Sequence, residues 1–151
     1  TNLDTYIIDF AKRGGYVVGL CGGYQMLGQT IVDDAGTDTG NPGTTLKGLN
    51  LIPAQTIFKE VKDTIRVKGS YHPNTELTGT RPIEGYEIHL GKTEIFEEEG
   101  FFLELENGRE EGYYGNDGKI IGTYVHHLFH NDEWRNEWLN KLRSIKQLPK
   151  R

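Results

Sequence analysis

The apolar residues at the start of the chain follow a helical period and then change to a strand-like run. Apolar side chains recur at helical spacing at Leu3, Ile7, Ile8 and Ala11. This spacing predicts an amphipathic helix that ends in a glycine turn at Gly14 and Gly15. The run "YVVGL" from Tyr16 is typical of a short buried strand, and "GGYQMLGQT" after it predicts a short helix. Cys21 therefore lies where a predicted strand turns into a predicted helix.

The centre of the chain has a different pattern. Residues 33–48 are rich in Gly, Asp, Thr and Pro and predict a surface loop. Strand-like runs follow, divided by glycine, proline, asparagine and acidic turns: "LNLIPAQTIF", "DTIRVKGSY", "IEGYEIHLGKTEI", "FFLELENG" and "IIGTYVHHLF". "NDG" at Asn116 is a hairpin signal, and the acidic run from Glu97 to Glu99 is typical of a solvated turn. Most of these strands are predicted to pair antiparallel.

The end of the chain returns to a helical period. In "NDEWRNEWLNKLRSIKQ" the apolar residues recur at steps of four, four and three, at Trp134, Trp138, Leu142 and Ile145. This spacing predicts an amphipathic helix that covers a sheet face and is ended by Pro149. Helices and strands together indicate an α/β domain.

Composition restricts the class of protein. The chain has 151 residues, near the common size of one domain, and 17 basic against 22 acidic residues give a formal charge of −5. This balance disfavours nucleic acid and anionic membranes as partners. The single cysteine and the lack of a long apolar run or a signal-peptide pattern favour a cytoplasmic protein. Because the sequence begins with Thr1 rather than Met, we expect a piece of a larger protein.

Cys21 carries the strongest chemical signal in the sequence. In a tight strand-to-helix turn the apical side chain projects towards a cleft, and Gly22 and Gly23 leave space for a substrate. Backbone N–H groups just after the apex lower the pKa of the thiol and can stabilise an oxyanion. The pattern therefore favours a nucleophile, with the N–H of Gly22 as one oxyanion donor, over a buried inert cysteine.

A cysteine nucleophile needs a base, and "GTYVHHLFHND" offers three histidines at the end of a predicted strand. Successive strand side chains point to opposite faces, so His126 and His127 cannot both face Cys21. One of them is expected to be the base. The alternative for His126, His127 and His130 is a zinc site, which the lack of a second cysteine and of H-E-x-x-H disfavours. We expect no metal.

Three motifs in order, "GLCGGYQMLG", "GYEIHLGKT" and "GTYVHHLFHNDEWRNEWLNKL", resemble the glutamine amidotransferase domains of the cobyric acid synthases, a branch of the class I (triad-type) glutaminases. The resemblance runs from about Tyr6 to the final helix. It implies a flavodoxin-like α/β fold with an antiparallel extension over residues 1–151, as a C-terminal fragment lacking its N-terminal strands. It also implies that Cys21 is the nucleophile and His126 the catalytic histidine.

The sequence departs from the family pattern after His126. The family commonly has Gly where this chain has His127, which keeps His127 open as the acting histidine. Most class I glutaminases place Glu two residues after the histidine, but here the residue is Leu128, as in the cobyric acid branch. An aliphatic side chain cannot accept the imidazole N–H, so another group must orient the ring. Glu87 is the first candidate, with a purely structural carboxylate as the alternative, and His89 is a candidate for the mouth facing a partner domain.

The resemblance implies hydrolysis of glutamine to glutamate and ammonia. Ammonia would pass to an N-terminal synthetase domain that uses ATP and Mg²⁺ to amidate corrinoid carboxylates in cobalamin biosynthesis. No cofactor is expected in this domain, because the sequence contains no G-x-x-x-x-G-K-[ST] phosphate loop. The alternatives are the glutaminase domain of cobyrinate a,c-diamide synthase, another cysteine hydrolase, and an inactive interaction domain of the same fold.

Overall fold

A computed structural model describes residues 2–37, 39–97 and 100–151, except for the side chains of residues 59–63 and 89. The acidic run predicted as a turn therefore lies partly outside the described residues. The helices are α1 (Leu3–Lys12), α2 (Gly22–Leu27), a 3-10 helix (Leu128–His130) and α3 (Asp132–Ile145). The strands are β1 (Val17–Leu20), β2 (Thr30–Asp33), β3 (Thr44–Lys47), β4 (Ala54–Tyr71), β5 (Ile83–Ile95), β6 (Leu103–Leu105), β7 (Glu110–Glu111), β8 (Tyr113–Gly115), β9 (Ile120–Thr123) and β10 (Val125–His126).

The strands of this described part form two sheets. The smaller has the order β1-β9-β8, in which β1 and β9 run parallel and β8 and β9 antiparallel. The larger has the order β10-β5-β4-β2-β3, with β6 added to β4 and β7 to β6. The predicted α/β fold is confirmed, and most of the neighbouring strands pair antiparallel as predicted. The expectation of further strands beside β1 stays a prediction.

Packing separates the two faces of the smaller sheet. Alternate residues of β8 and β9 enter different apolar clusters: Tyr114 and Ile121 lie in one, and Tyr113 and Ile120 in the other. This alternation follows from the period of two along a strand. The first cluster includes Trp134 of α3, whereas the second includes residues of α1 and α2. Helix α3 therefore covers a sheet face, as predicted.

The structure corrects the expected loop at residues 33–48. Its end, Thr44–Lys47, is strand β3, which pairs antiparallel with β2. The buried carboxylate of Asp33 explains the turn, because it accepts hydrogen bonds at 2.8 Å from the backbone N–H groups of Thr37 and Thr39. The Asp33 side chain thus organises the turn that brings β3 back alongside β2.

Two further boundaries differ from the prediction. The runs "LNLIPAQTIF" and "DTIRVKGSY" contribute to one strand, β4, which pairs with β5 and has an irregularity between Phe58 and Asp63. Helix α3 ends at Ile145, ahead of Pro149, because the backbone turns into the left-handed region at Gln147, with φ of 55°. The "NDG" hairpin is confirmed: Asn116 and Asp117 both have positive φ, 52° and 54°, as a tight β8–β9 turn requires.

Candidate active site

Cys21 occupies the turn between β1 and α2. Its backbone has φ of 52° and ψ of −113°, a left-handed φ that a non-glycine residue adopts only under strain. Its N–H donates to the carbonyl oxygen of Thr123 at 2.9 Å, and its thiol donates to that of Ile88 at 3.2 Å. The half-buried thiol is therefore held between the end of β9 and the middle of β5.

Two glycines allow α2 to lie close to the sheet. Gly19 of β1 and Gly122 of β9 are paired neighbours. A Cβ on Gly19 would lie 2.7 Å from Leu27, and one on Gly122 would lie 2.1 Å from the Tyr24 ring. By contrast, a Cβ on Gly22 or Gly23 would meet nothing within 4 Å. The glycines below the helix thus permit close packing, and those after Cys21 border open space, as predicted. Gly22 begins α2, and its role as oxyanion donor stays a prediction.

His126 lies in β10 of the larger sheet, whereas Cys21 follows β1 of the smaller one. Its Cα pairs with Tyr86 of β5, two residues from the Ile88 carbonyl that contacts the thiol. Two residues correspond to about 7 Å along a strand, so both groups face one short stretch of β5. The ring Nε2 is buried and, among the described residues, has no hydrogen-bond partner. Its role as the base stays a prediction.

The other two histidines of the cluster lie elsewhere. His127 is exposed, and its ring lies 4.7 Å from that of His130 and perpendicular to that of Tyr86 at 5.9 Å. Its backbone is left-handed, with φ of 69°, a conformation that favours glycine over a residue with a Cβ. No group of three or more His, Cys, Asp or Glu residues within the described part of the chain is arranged to hold a metal ion.

Glu87 is buried and bound to an arginine. Its carboxylate is only 2% exposed and accepts two hydrogen bonds from the guanidinium of Arg109, one of them at 3.2 Å. Its Cα pairs with Val125, the neighbour of His126. This ion pair shows what holds Glu87, whereas its action on the imidazole stays a prediction. The side chain of His89 lies outside the described residues, so its interface role also stays a prediction.

Glu111 is a site residue that the sequence did not reveal. It is 3% exposed, and its two oxygens accept hydrogen bonds at 2.7 Å from the hydroxyl of Thr123 and the backbone N–H of Tyr124. Burial raises the pKa of Glu111 to about 7; the Thr123 and Tyr124 hydrogen bonds oppose the rise, and the charge of Glu87 adds to it. In the sequence, "REEG" resembles an ordinary acidic turn. Only the strand register buries Glu111.

The Tyr124 side chain connects helix α2 with strand β5. Its hydroxyl lies 2.6 Å from the Thr93 hydroxyl and accepts a hydrogen bond from the Gln25 amide at 3.2 Å. Burial raises the pKa of Tyr124, and the hydrogen bonds with Thr93 and Gln25 oppose the rise. The side chain therefore joins α2 to β5 beside the nucleophile. Chemically, the arrangement offers a thiol next to open space and an imidazole near the same stretch of β5, which suits nucleophilic acyl transfer.

No helix in the described residues is long and apolar enough to span a bilayer.

Comparisons with known proteins identify sequence relatives of this chain. The chain is similar to the cobyric acid synthase of Chlorobium phaeobacteroides (strain BS1), with 38% identity over 91% of this chain and 28% of that protein. It is also similar to the cobyric acid synthase of Geobacillus sp. (strain WCH70), with 42% identity over 87% of this chain and 25% of that protein. The cobyric acid synthase of Synechococcus elongatus shares 40% identity over 95% of this chain and 29% of that protein.

The chain thus spans between 25% and 29% of the length of these relatives. Residues 1–134 match the CobB/CobQ-like glutamine amidotransferase domain. This match covers the Cys21 turn, His126 and the strands that join them. The chain is an enzyme component and belongs to the family of CobB/CobQ-like glutamine amidotransferase domains.

Proposed function

We propose that this chain is the glutaminase domain of a cobyric acid synthase and that it hydrolyses glutamine through Cys21 and His126. The observation that carries the proposal is the strained turn that sets the Cys21 thiol between β1 and α2, with open space over Gly22 and Gly23. The buried Nε2 of His126, without a partner among the described residues, supports it. A buried ring nitrogen without a partner is costly, and such groups in native proteins often have a catalytic role.

The reaction proceeds in two halves. The Cys21 thiolate attacks the side-chain carbonyl carbon of glutamine, and the N–H of Gly22 donates to the oxyanion. The carbon–nitrogen bond breaks as the His126 imidazolium gives its proton to the departing ammonia. Water, deprotonated by His126, then attacks the thioester; the carbon–sulfur bond breaks, glutamate leaves and the thiolate is restored. Glu87 is the proposed partner that orients the imidazole, and His89 the residue at the mouth.

The remainder of the longer protein is proposed to use the ammonia. In that proposal an ATP- and Mg²⁺-dependent synthetase domain converts corrinoid carboxylates to amides in the cytoplasm, with glutamine as the nitrogen source. The 38–42% identity to proteins named cobyric acid synthase supports this branch over cobyrinate a,c-diamide synthase. This domain itself is proposed to need no cofactor.

The test uses the full-length enzyme that contains this chain. Cys21→Ala and His126→Ala should each lower glutamine-dependent amidation at least about a thousandfold, because each removes one essential step of acyl transfer. Amidation with added ammonia should stay within about twofold of wild type, since the synthetase reaction is separate. Both rates are measured as corrinoid amide formed.

His127→Ala is the matched control, because it removes the adjacent imidazole from the same segment. It should retain both activities. If His127→Ala loses the glutamine-dependent rate and His126→Ala keeps it, the choice of base is wrong. If Cys21→Ala keeps the glutamine-dependent rate, the proposed mechanism is wrong.

A further inference from the structure

The segment 123–126 crosses from one sheet to the other. Thr123 ends β9 in the smaller sheet, and Val125 and His126 form β10 in the larger one. Tyr124 lies between the two strands and belongs to neither ladder. The buried backbone N–H groups at such a crossing need acceptors from elsewhere, because an unpaired one costs about 1–3 kcal/mol.

Glu111 supplies those acceptors. One carboxylate oxygen accepts the N–H of Tyr124, and the other accepts the Thr123 hydroxyl, each at 2.7 Å. The Thr123 Oγ1 in turn accepts the N–H of Val125 at 3.0 Å. Glu111 therefore fixes the two backbone N–H groups immediately ahead of His126, one directly and one through Thr123.

The same segment also holds the nucleophile. The carbonyl oxygen of Thr123 accepts the N–H of Cys21 at 2.9 Å, at the point where that residue adopts its strained backbone. A shift of Thr123 would therefore move Cys21 and His126 relative to each other. In addition, Leu128 is fully buried in the apolar core and has no polar atom to offer the imidazole. The backbone of residues 123–126 must therefore contribute more to the position of the His126 imidazole.

A carboxylate suits this place better than an uncharged side chain. Two donors, an N–H and an O–H, reach separate oxygens, and a carboxylate has an acceptor at each, whereas an amide has one acceptor oxygen. Burying it is unfavourable unless hydrogen bonds and nearby charges compensate. The hydrogen bonds from Thr123 and Tyr124 lower the pKa of Glu111 and so favour its ionised form, whereas the two charges of the neighbouring Glu87–Arg109 ion pair act on it in opposite directions.

We infer that Glu111 is a positioning residue for glutamine hydrolysis, which sets the distance between Cys21 and His126 by anchoring Thr123 and Tyr124. This inference rests on the proposed function. Glu111 contacts the segment rather than the reacting atoms, so its loss should affect the chemical step more than substrate binding.

The experiment measures kcat and KM for glutamine, together with the ammonia-dependent rate, in the full-length enzyme. Glu111→Ala should lower kcat at least about tenfold while KM stays within about threefold, because misplacement of reacting groups by about 1 Å can cost up to a hundredfold. The ammonia-dependent rate should stay within about twofold of wild type. Glu110→Ala is the matched control, since it removes the neighbouring carboxylate, which pairs with His72 on the surface.

A second pair of variants keeps the inference testable if Glu111→Ala does not fold. Thr123→Val removes the hydroxyl that joins Glu111 to the Val125 N–H, and it should lower kcat about tenfold. Thr123→Ser keeps that hydroxyl and should recover most of the lost kcat. This rescue separates positioning by the hydroxyl from a general effect of altering β9.

Three results would overturn the inference. Either Glu111→Ala or Thr123→Val could show wild-type kcat, KM could rise with kcat unchanged, or Thr123→Ser could be as slow as Thr123→Val. A wild-type enzyme that amidates with ammonia but not with glutamine would refute the proposed function itself. That result is distinct, because it appears before any variant is made.

Discussion

The turn that carries Cys21 and the segment that carries His126 both contact β5 but are held in different ways. Around Cys21 close packing dominates, because Gly19 and Gly122 let α2 approach the sheet. Around His126 polar side chains are added, because Glu111 binds the preceding backbone. Close packing positions α2 after Cys21, whereas a hydrogen-bonded carboxylate positions the segment before His126. The two halves should therefore respond to different perturbations.

The largest expected effect concerns pH and the base segment. Glu111 has a folded pKa of about 7 against an ordinary value of 4.5, so the folded chain retains a proton that the unfolded chain releases. Stability from this group is therefore complete below about pH 4.5 and is lost as the pH rises to about 7. The loss should be about 3 kcal/mol in the free energy of unfolding.

Urea denaturation of wild type and Glu111→Gln at pH 4.5 and pH 8 checks this expectation. The amide does not titrate, so the difference between the two proteins should change by about 3 kcal/mol in favour of Glu111→Gln at the higher pH. An equal pH dependence of the free energy of unfolding in both proteins would show that the Glu111 carboxyl group has no raised pKa. The two regions would then not differ in their response to pH.

Packing at the nucleophile turn should show the next largest effect. Gly122→Ala places a Cβ against the buried ring of Tyr24, which has little room to move, and should lower the free energy of unfolding by about 1–3 kcal/mol. Thermal or urea denaturation measures this loss. Gly23→Ala is the control, because an added Cβ there meets nothing within 4 Å, and its stability should equal or exceed that of wild type. Equal losses in both would show that close packing does not distinguish these glycines.

The smallest effect concerns the residue after His126. His127 has a left-handed backbone and an exposed side chain, so His127→Gly should raise the free energy of unfolding by about 1 kcal/mol. His127→Ala, which keeps a Cβ in the left-handed region, should show no such gain. A less stable His127→Gly would mean that the ring contacts with Tyr86 and His130 outweigh the backbone strain.

The local features of the chain could be predicted because they depend on neighbours in sequence. The helical spacing before Gly14 predicted α1, the β-branched run predicted β1, and "NDG" predicted the hairpin between β8 and β9. Cys21 at the strand-to-helix turn also followed from its own neighbours. These signals act over a few residues, where side-chain period and backbone preference dominate.

The supporting groups depended on contacts between distant strands. Pairing of β5 with β10 places Glu87 beside Val125, and Arg109 and Glu111 reach the same place from the β6–β7 turn and β7. The sequence alone predicted Cys21 as the nucleophile and offered two candidate histidines, of which the family resemblance favoured His126. Only the tertiary structure decided which carboxylate binds the segment just before His126. Strand register determines which side chains are buried and which hydrogen-bond donors they meet.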